Sequence, residues 1–162
     1  MPLGTPARRM PIPEDVRDVF GDLLGKPVAA SKTAPIEFRE DPSGYVTGIY
    51  IEDDGTVGGA CIADLPLAAS AGAALALMPS TVAEEAIDAG ELSDGLNENF
   101  FEVANIISQL LNGPSVPHLR IRELVAGVPA DVTRLATTAR GQKHYDVTIV
   151  GYPGGKVSLL AR

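Results

Sequence analysis

The stretch SDGLNENFFEVANIISQLLNG, residues 93–113, sets the frame for the whole chain. Leu96, Phe100, Val103, Ala104, Ile107, Leu110 and Leu111 return at steps of three and four, which predicts one long helix with a buried stripe. On another side, Glu98, Glu102, Asn105 and Gln109 follow one another at i, i+4, i+7 and i+11 and share a narrow sector. Asn is a poor mid-helix residue, because its amide competes for backbone hydrogen bonds. No local pattern calls for one at position 105. On an ordinary helix such a stripe is solvated surface. Here residues 80–117 contain no Lys or Arg, so the acids have no basic neighbour one turn away. A strongly apolar helix with one narrow polar seam is therefore the candidate site, with the seam offered to a partner.

Working outward, YVTGIYIEDDGTVGGACIADLP predicts a hairpin. Tyr45–Glu52 and Val57–Ala63 are rich in β-branched and aromatic residues, and Asp53-Asp54-Gly55 supplies the residue that tolerates positive φ. Leu65–Met78 reads as an Ala-rich buried helix. Thr81-Val82-Ala83-Glu84 has the pattern of a capping box opening a short helix that Gly90 closes. Ser93 is placed to cap the long helix and Gly113-Pro114 to stop it.

On the N-terminal side, Pro13-Glu14-Asp15 starts a helix whose apolar face is Val16, Val19, Phe20, Leu23 and Leu24, with Gly25 at its end. Val28 and Ile36-Glu37-Phe38 are edge-strand pieces interrupted by Pro27 and Pro35. Residues 1–12, with three Pro and a Gly, read as a disordered arm. Beyond the long helix, His118–Val125 alternates as a strand with Leu119, Ile121 and Leu124 inward. Pro129–Arg140 fits either a short helix or a loop. Tyr145–Val150 and Lys156–Leu160 form a last hairpin around Tyr152-Pro153-Gly154-Gly155. The order predicts a single domain over residues 13–162. Its fold class is α/β (α+β): a two-layer sandwich, with a largely antiparallel sheet packed against two to three helices.

Composition narrows the function classes. The chain has 162 residues, 45% of them hydrophobic and 21% charged, as in a soluble globular protein of one domain. Its net charge of −8 repels phosphate backbones and anionic lipid surfaces, so neither nucleic-acid binding nor membrane insertion is expected. Cys61 is the only cysteine, which excludes an intramolecular disulfide and a multi-thiolate metal site. The two Arg near the N-terminus are followed by no apolar run, so a cytoplasmic protein is expected.

Other candidates have plainer readings. Cys61 lies inside a strand pattern and reads as a small buried hydrophobe rather than a nucleophile. His118 and His144 flank strands far apart, in no metal-ligand spacing, and no metal site is expected. GTVGG and GYPGG are turn glycines without the Lys or the strand–loop–helix setting of a phosphate loop.

EVANIIS, Glu102–Ser108, resembles the Glu-x-x-Asn helix signature of the CheC/CheX family of chemotaxis phosphatases. The similarity extends over roughly residues 13–162, through the N-terminal helix, the hairpin, the Ala-rich helix and the closing hairpin. It implies dephosphorylation of a phosphorylated CheY-type response-regulator receiver domain. Carried over by position, Asn105 is the catalytic residue that orients the attacking water. Glu102 is its catalytic companion, paired with the receiver's active-site Lys. Glu98 and Gln109 fall in the receiver interface. No cofactor is expected in this chain itself, because the receiver brings the phosphorylated Asp and Mg²⁺. One Glu-x-x-Asn helix rather than two resembles the one-site CheX arrangement, which implies a homodimer.

Three positions depart from the family pattern. Glu98 stands where Asp or Ser is usual, Pro129 lies slightly farther on, and Gln109 replaces a small residue, often Gly. The alternative is a non-catalytic receiver-binding or flagellar-switch adaptor of the same fold, favoured by Gln109.

Overall fold

The computed structural model describes residues 8–36 and 44–162. Its centre is the expected hairpin, β2 (Tyr45–Ile51) and β3 (Val57–Asp64). Gly55, at φ 87°, makes the turn, and the Asp54 carboxylate accepts the Thr56 N–H at 2.9 Å. Both strands are buried on nearly every residue, because each face of the sheet is covered where they run.

Around them stand β1 (Val28–Lys32), β4 (Arg120–Ala126), β5 (Gly141–Ile149) and β6 (Gly155–Ala161). The six strands run in the order β1-β5-β6-β3-β2-β4, and every pairing is antiparallel. The antiparallel sheet packed by helices is thus present. Of the two expected edge pieces, Val28 begins β1, whereas Glu37 and Phe38 lie outside the described residues.

Three helices cover one face: α1 (Pro13–Leu24), α2 (Leu65–Leu75) and α4 (Asp94–Ile107). Val16, Phe20, Leu67, Phe100, Val103 and Ile107 meet Val46, Tyr50, Cys61, Tyr145 and Leu159 there in one apolar cluster. α3 (Ser80–Ala89) packs behind α2 through Ala83 and Ala86 against Ala69 and Ala73. Small side chains on α2 permit this crowding: a Cβ on Gly72 would lie 3.0 Å from the Leu96 carbonyl oxygen. The ambiguous 129–140 segment contains α5 (Ala130–Thr138), which places Val132 and Leu135 against Ile49, Ala60, Ile62 and Leu160. It lies on the opposite face and adds a partial third layer.

Several boundaries differ from expectation, each for a local reason. α2 stops at Leu75 rather than Met78, because Leu77 takes φ 57° and Met78 N–H reaches back to the Ala73 carbonyl at 2.9 Å. The Thr81–Glu84 capping box does not form. The N-cap is Pro79, so Thr81 is already inside α3, although Gly90 closes the helix as expected. Residues 8–12 differ from the loose arm expected over 1–12. Arg8 is buried, Met10 lies against Gly141 and the Pro11 carbonyl accepts the Tyr145 hydroxyl. Residues 1–7 lie outside the described residues.

The long helix also changes character. Ser93 caps it, accepting the Leu96 N–H at 3.3 Å, but α-helical geometry ends at Ile107, and Ser108–Leu111 form a 3-10 turn. Gly113-Pro114 is therefore not the terminator. The Ser108 hydroxyl donates to the Asn105 carbonyl at 2.6 Å, a local bond that competes with continued α-helical pairing.

Candidate functional site

Leu96, Phe100, Val103, Ala104 and Ile107 are buried under α4, as the periodicity required. That leaves Glu98 and Glu102 exposed on the outer face, with Asn105 half-buried beside them. Glu102 and Asn105, one turn apart, are neighbours on this face. Among the described residues, neither the two carboxylates nor the Asn105 carboxamide has a hydrogen-bond or ion-pair partner. Phe101 and Ile106, both half-buried, flank the polar groups. Gln109 is exposed but sits in the 3-10 turn. That turn advances about 120° per residue, so Gln109 is rotated by about 40° from an unbroken α-helix. Glu98, Glu102 and Asn105 thus share one face of α4, and the 3-10 turn carries Gln109 toward the Glu102 side of that face.

The floor beneath Asn105 is pinned. The Tyr50 hydroxyl on β2 donates to the Ala104 carbonyl at 2.6 Å, inside the core. Two residues earlier on the same strand, a Cβ added to Gly48 would lie 3.2 Å from Ala104 Cβ, so α4 approaches β2 more closely than most side chains would permit. Asn99 donates its side-chain N–H to the Gly72 carbonyl at 3.0 Å and ties α4 to α2. Past the 3-10 turn, the Asn112 carboxamide both donates to and accepts from the Leu119 backbone, at 2.9 and 2.8 Å. Holding the helix at these points fixes the backbone positions from which its polar side chains project.

Sequence reasoning did not single out Tyr50, Gly48, Asn99 or Arg8. An isolated glycine inside a strand pattern signals close backbone approach, so Gly48 was findable. The three residues that reach helix backbone carbonyls from a distance, Tyr50, Asn99 and Arg8, carry no local pattern.

The remaining candidates separate from this face. Cys61 is fully buried, and burial pushes its thiol up to about 12, far from a nucleophile's range. Its neighbour Tyr50 is raised by the same burial. His118 is exposed, whereas His144 is buried with Nδ1 2.6 Å from Ser158 Oγ. Among the described residues, no group of three or more His, Cys, Asp or Glu side chains is placed to hold a metal ion. Among the same residues, no helix is long and apolar enough to cross a membrane.

Comparison with known proteins bears on the fold. No protein-family profile and no curated protein matches the sequence. The crystal structure of FliY from Thermotoga maritima aligns over 90% of this chain and 81% of its own, with a TM-score of 0.52 and 12% identity. The FliG–FliM complex from H. pylori aligns over 92% of this chain and 85% of its own, with a TM-score of 0.56 and 8% identity. The CheX–CheY–BeF3–Mg2+ complex from Borrelia burgdorferi aligns over 89% of this chain and 90% of its own, with a TM-score of only 0.43 and 14% identity. With a six-stranded antiparallel sheet and this arrangement of helices among the described residues, the chain has the fold of the FliY and FliM structures.

Proposed function

We propose that the chain is a protein-aspartyl-phosphate phosphatase acting on a phosphorylated CheY-type receiver domain. One observation carries the reading: Glu102 and Asn105 stand together on the outer face of a helix whose backbone is pinned to the sheet directly beneath them. A carboxamide both donates and accepts, so Asn105 can hold a water in line with the phosphorus of a phosphoaspartate. Attack by that water forms a new P–O bond and breaks the bond to the aspartyl oxygen. Phosphate leaves, the receiver's carboxylate is restored, and the water's proton goes to phosphate or solvent. Such reactions are catalysed chiefly by positioning and electrostatics. The receiver's Mg²⁺ and active-site Lys complete the site, with Glu102 facing the Lys. Glu98 and Gln109 form the adjoining contact surface. The reading includes a cytoplasmic homodimer, which sedimentation at assay concentrations tests.

Decay of a phosphorylated receiver, followed with and without the protein, tests the proposal. Wild-type chain shortens the receiver's phosphate lifetime and Asn105→Ala does not. No shortening by wild-type chain across the receivers of its own organism would overturn it.

A second reading, a non-catalytic adaptor for a receiver or a flagellar-switch component, is favoured by exposed Gln109 on its 3-10 turn. The FliM of a matched structure is likewise complexed with another protein, FliG. Tight receiver binding with unchanged phosphate lifetime would select this reading.

A further inference from the structure

α4 and its 3-10 extension form a helix without a cation of its own at the C-terminal end. Neither segment has a basic residue in its last turn. The unpaired carbonyls and the negative end of the helix dipole both call for one. Arg8, from 103 residues upstream, fills that place. Its side chain is only 9% exposed, its Nη1 donates to the Leu111 carbonyl at 2.6 Å, and its Nη2 donates to the Pro117 carbonyl at 2.9 Å. The guanidinium thus bridges the two ends of the 112–117 loop, beside the Asn112–Leu119 pair that joins the same neck.

Burial lowers the pKa of Arg8, and the charge of Glu52 offsets part of that effect. Arg8 Nε is buried without an acceptor among the described residues, so the group is held here at some cost in hydration. The segment continues as a strap. Met10 covers Gly141 at the start of β5, the Pro11 carbonyl takes the Tyr145 hydroxyl, and the Ile12 N–H donates to Asp15 in the first turn of α1. One short stretch therefore ties the end of the candidate helix to β5 and α1.

We infer that Arg8 is a positioning residue for the α4 face: the N-terminal strap fixes the 3-10 turn, and through it the spacing of Asn105 and Gln109. Its catalytic consequence rests on the phosphatase reading; its structural consequence does not. Arg8 touches neither stripe residue and acts only through the backbone it binds.

Hydrogen exchange on the folded chain tests this, comparing wild type with Arg8→Ala, Arg8→Lys and Arg9→Ala. Arg9 is an apt control, since its side chain is 82% exposed and meets Asp15 only at 4.0 Å. Losing charged hydrogen bonds at one site in Arg8→Ala raises exchange over residues 108–119 by about ten- to a hundred-fold, with β3 and β6 unchanged. Arg8→Lys keeps the charge but loses the planar fork whose two nitrogens each serve one carbonyl, and gives a smaller rise in the same segment. Arg9→Ala leaves exchange as in wild type. Unchanged exchange over 108–119, or a rise spread evenly through β3 and β6, would overturn the inference. Should Arg8→Ala fail to fold, Arg8→Lys against wild type decides on the same criterion. In the receiver assay, Arg8→Ala lowers kcat with KM for the receiver little changed. If the wild-type chain leaves receiver decay unaltered, the phosphatase reading fails and the exchange result alone judges the strap.

Discussion

The Tyr50 hydroxyl donates to the Ala104 carbonyl at 2.6 Å, and the same carbonyl accepts the Ser108 N–H of its own helix. This buried bond joins the C-terminal end of β2 to the residue just before Asn105. Tyr50→Phe keeps the ring's packing and removes only the donor. We expect a loss of about 1 kcal/mol in stability by urea denaturation, since the carbonyl keeps its helical partner. We also expect slower receiver dephosphorylation than the wild-type protein. Equal stability and equal rate would show that the bond fixes nothing.

Gly48 tests the same contact by steric means. An added Cβ lies 3.2 Å from Ala104 Cβ and 3.6 Å from Ile121 Cδ1. Gly48→Val adds further methyls and forces α4 outward or the strand inward. Overpacking of this kind costs about 1–3 kcal/mol. A thermal melt checks it, and a variant as stable as wild type would mean that the helix has room to move.

The start of α2 depends on a second close approach. Asp64 caps it by accepting the Leu67 N–H at 2.9 Å, and a Cβ on Gly155 would lie 2.2 Å from Asp64 Oδ1. Asp64→Ala should cost about 0.5–2 kcal/mol through loss of the cap. Gly155→Ala should destabilise too, by displacing the carboxylate and by crowding the Leu67 backbone nitrogen at 2.8 Å, so in an Asp64→Ala background only the first part of its effect should vanish. A double-mutant cycle on denaturant midpoints measures that coupling, and full additivity would contradict it.

The fold was largely legible in sequence, because the residues that set it act locally. Gly25, Gly55 and Gly90 sit at positive φ where turns and helix ends required them, and the stripe from Leu96 to Ile107 is buried in register. Of the candidate site, Glu98, Glu102 and Asn105 were readable for the same reason. What escaped depends on partners distant in sequence. α5 was ambiguous because Val132 and Leu135 gain meaning only from Ile49 and Ile62 on the far face of the sheet. The change to a 3-10 turn before Gln109 escaped because periodicity assumes one helical geometry throughout. A single hydroxyl, that of Ser108 on the Asn105 carbonyl, marks where this geometry tightens.

Acid should loosen the sheet through His144. Burial lowers its pKa from the usual 6.5, so the folded chain takes up the proton less readily than the unfolded one. Between the two values the unfolded state binds more protons. His144's contribution is therefore intact above about pH 6.5, falls as pH drops through that window, and levels off below the folded value. Denaturation midpoints in His144→Gln should depend less on pH between 5 and 7 than in wild type. An identical pH slope in the variant would rule out His144 as the source.

The most direct measurement puts binding and decay in one experiment: a phosphorylated receiver titrated with wild-type chain and with Asn105→Ala. The wild-type protein should bind the receiver and shorten its phosphate lifetime, while Asn105→Ala should bind comparably and leave that lifetime at its intrinsic value. Equal shortening by both proteins would contradict the role given to Asn105. Binding by both with no shortening by either would show that the α4 face docks a receiver without catalysing its dephosphorylation.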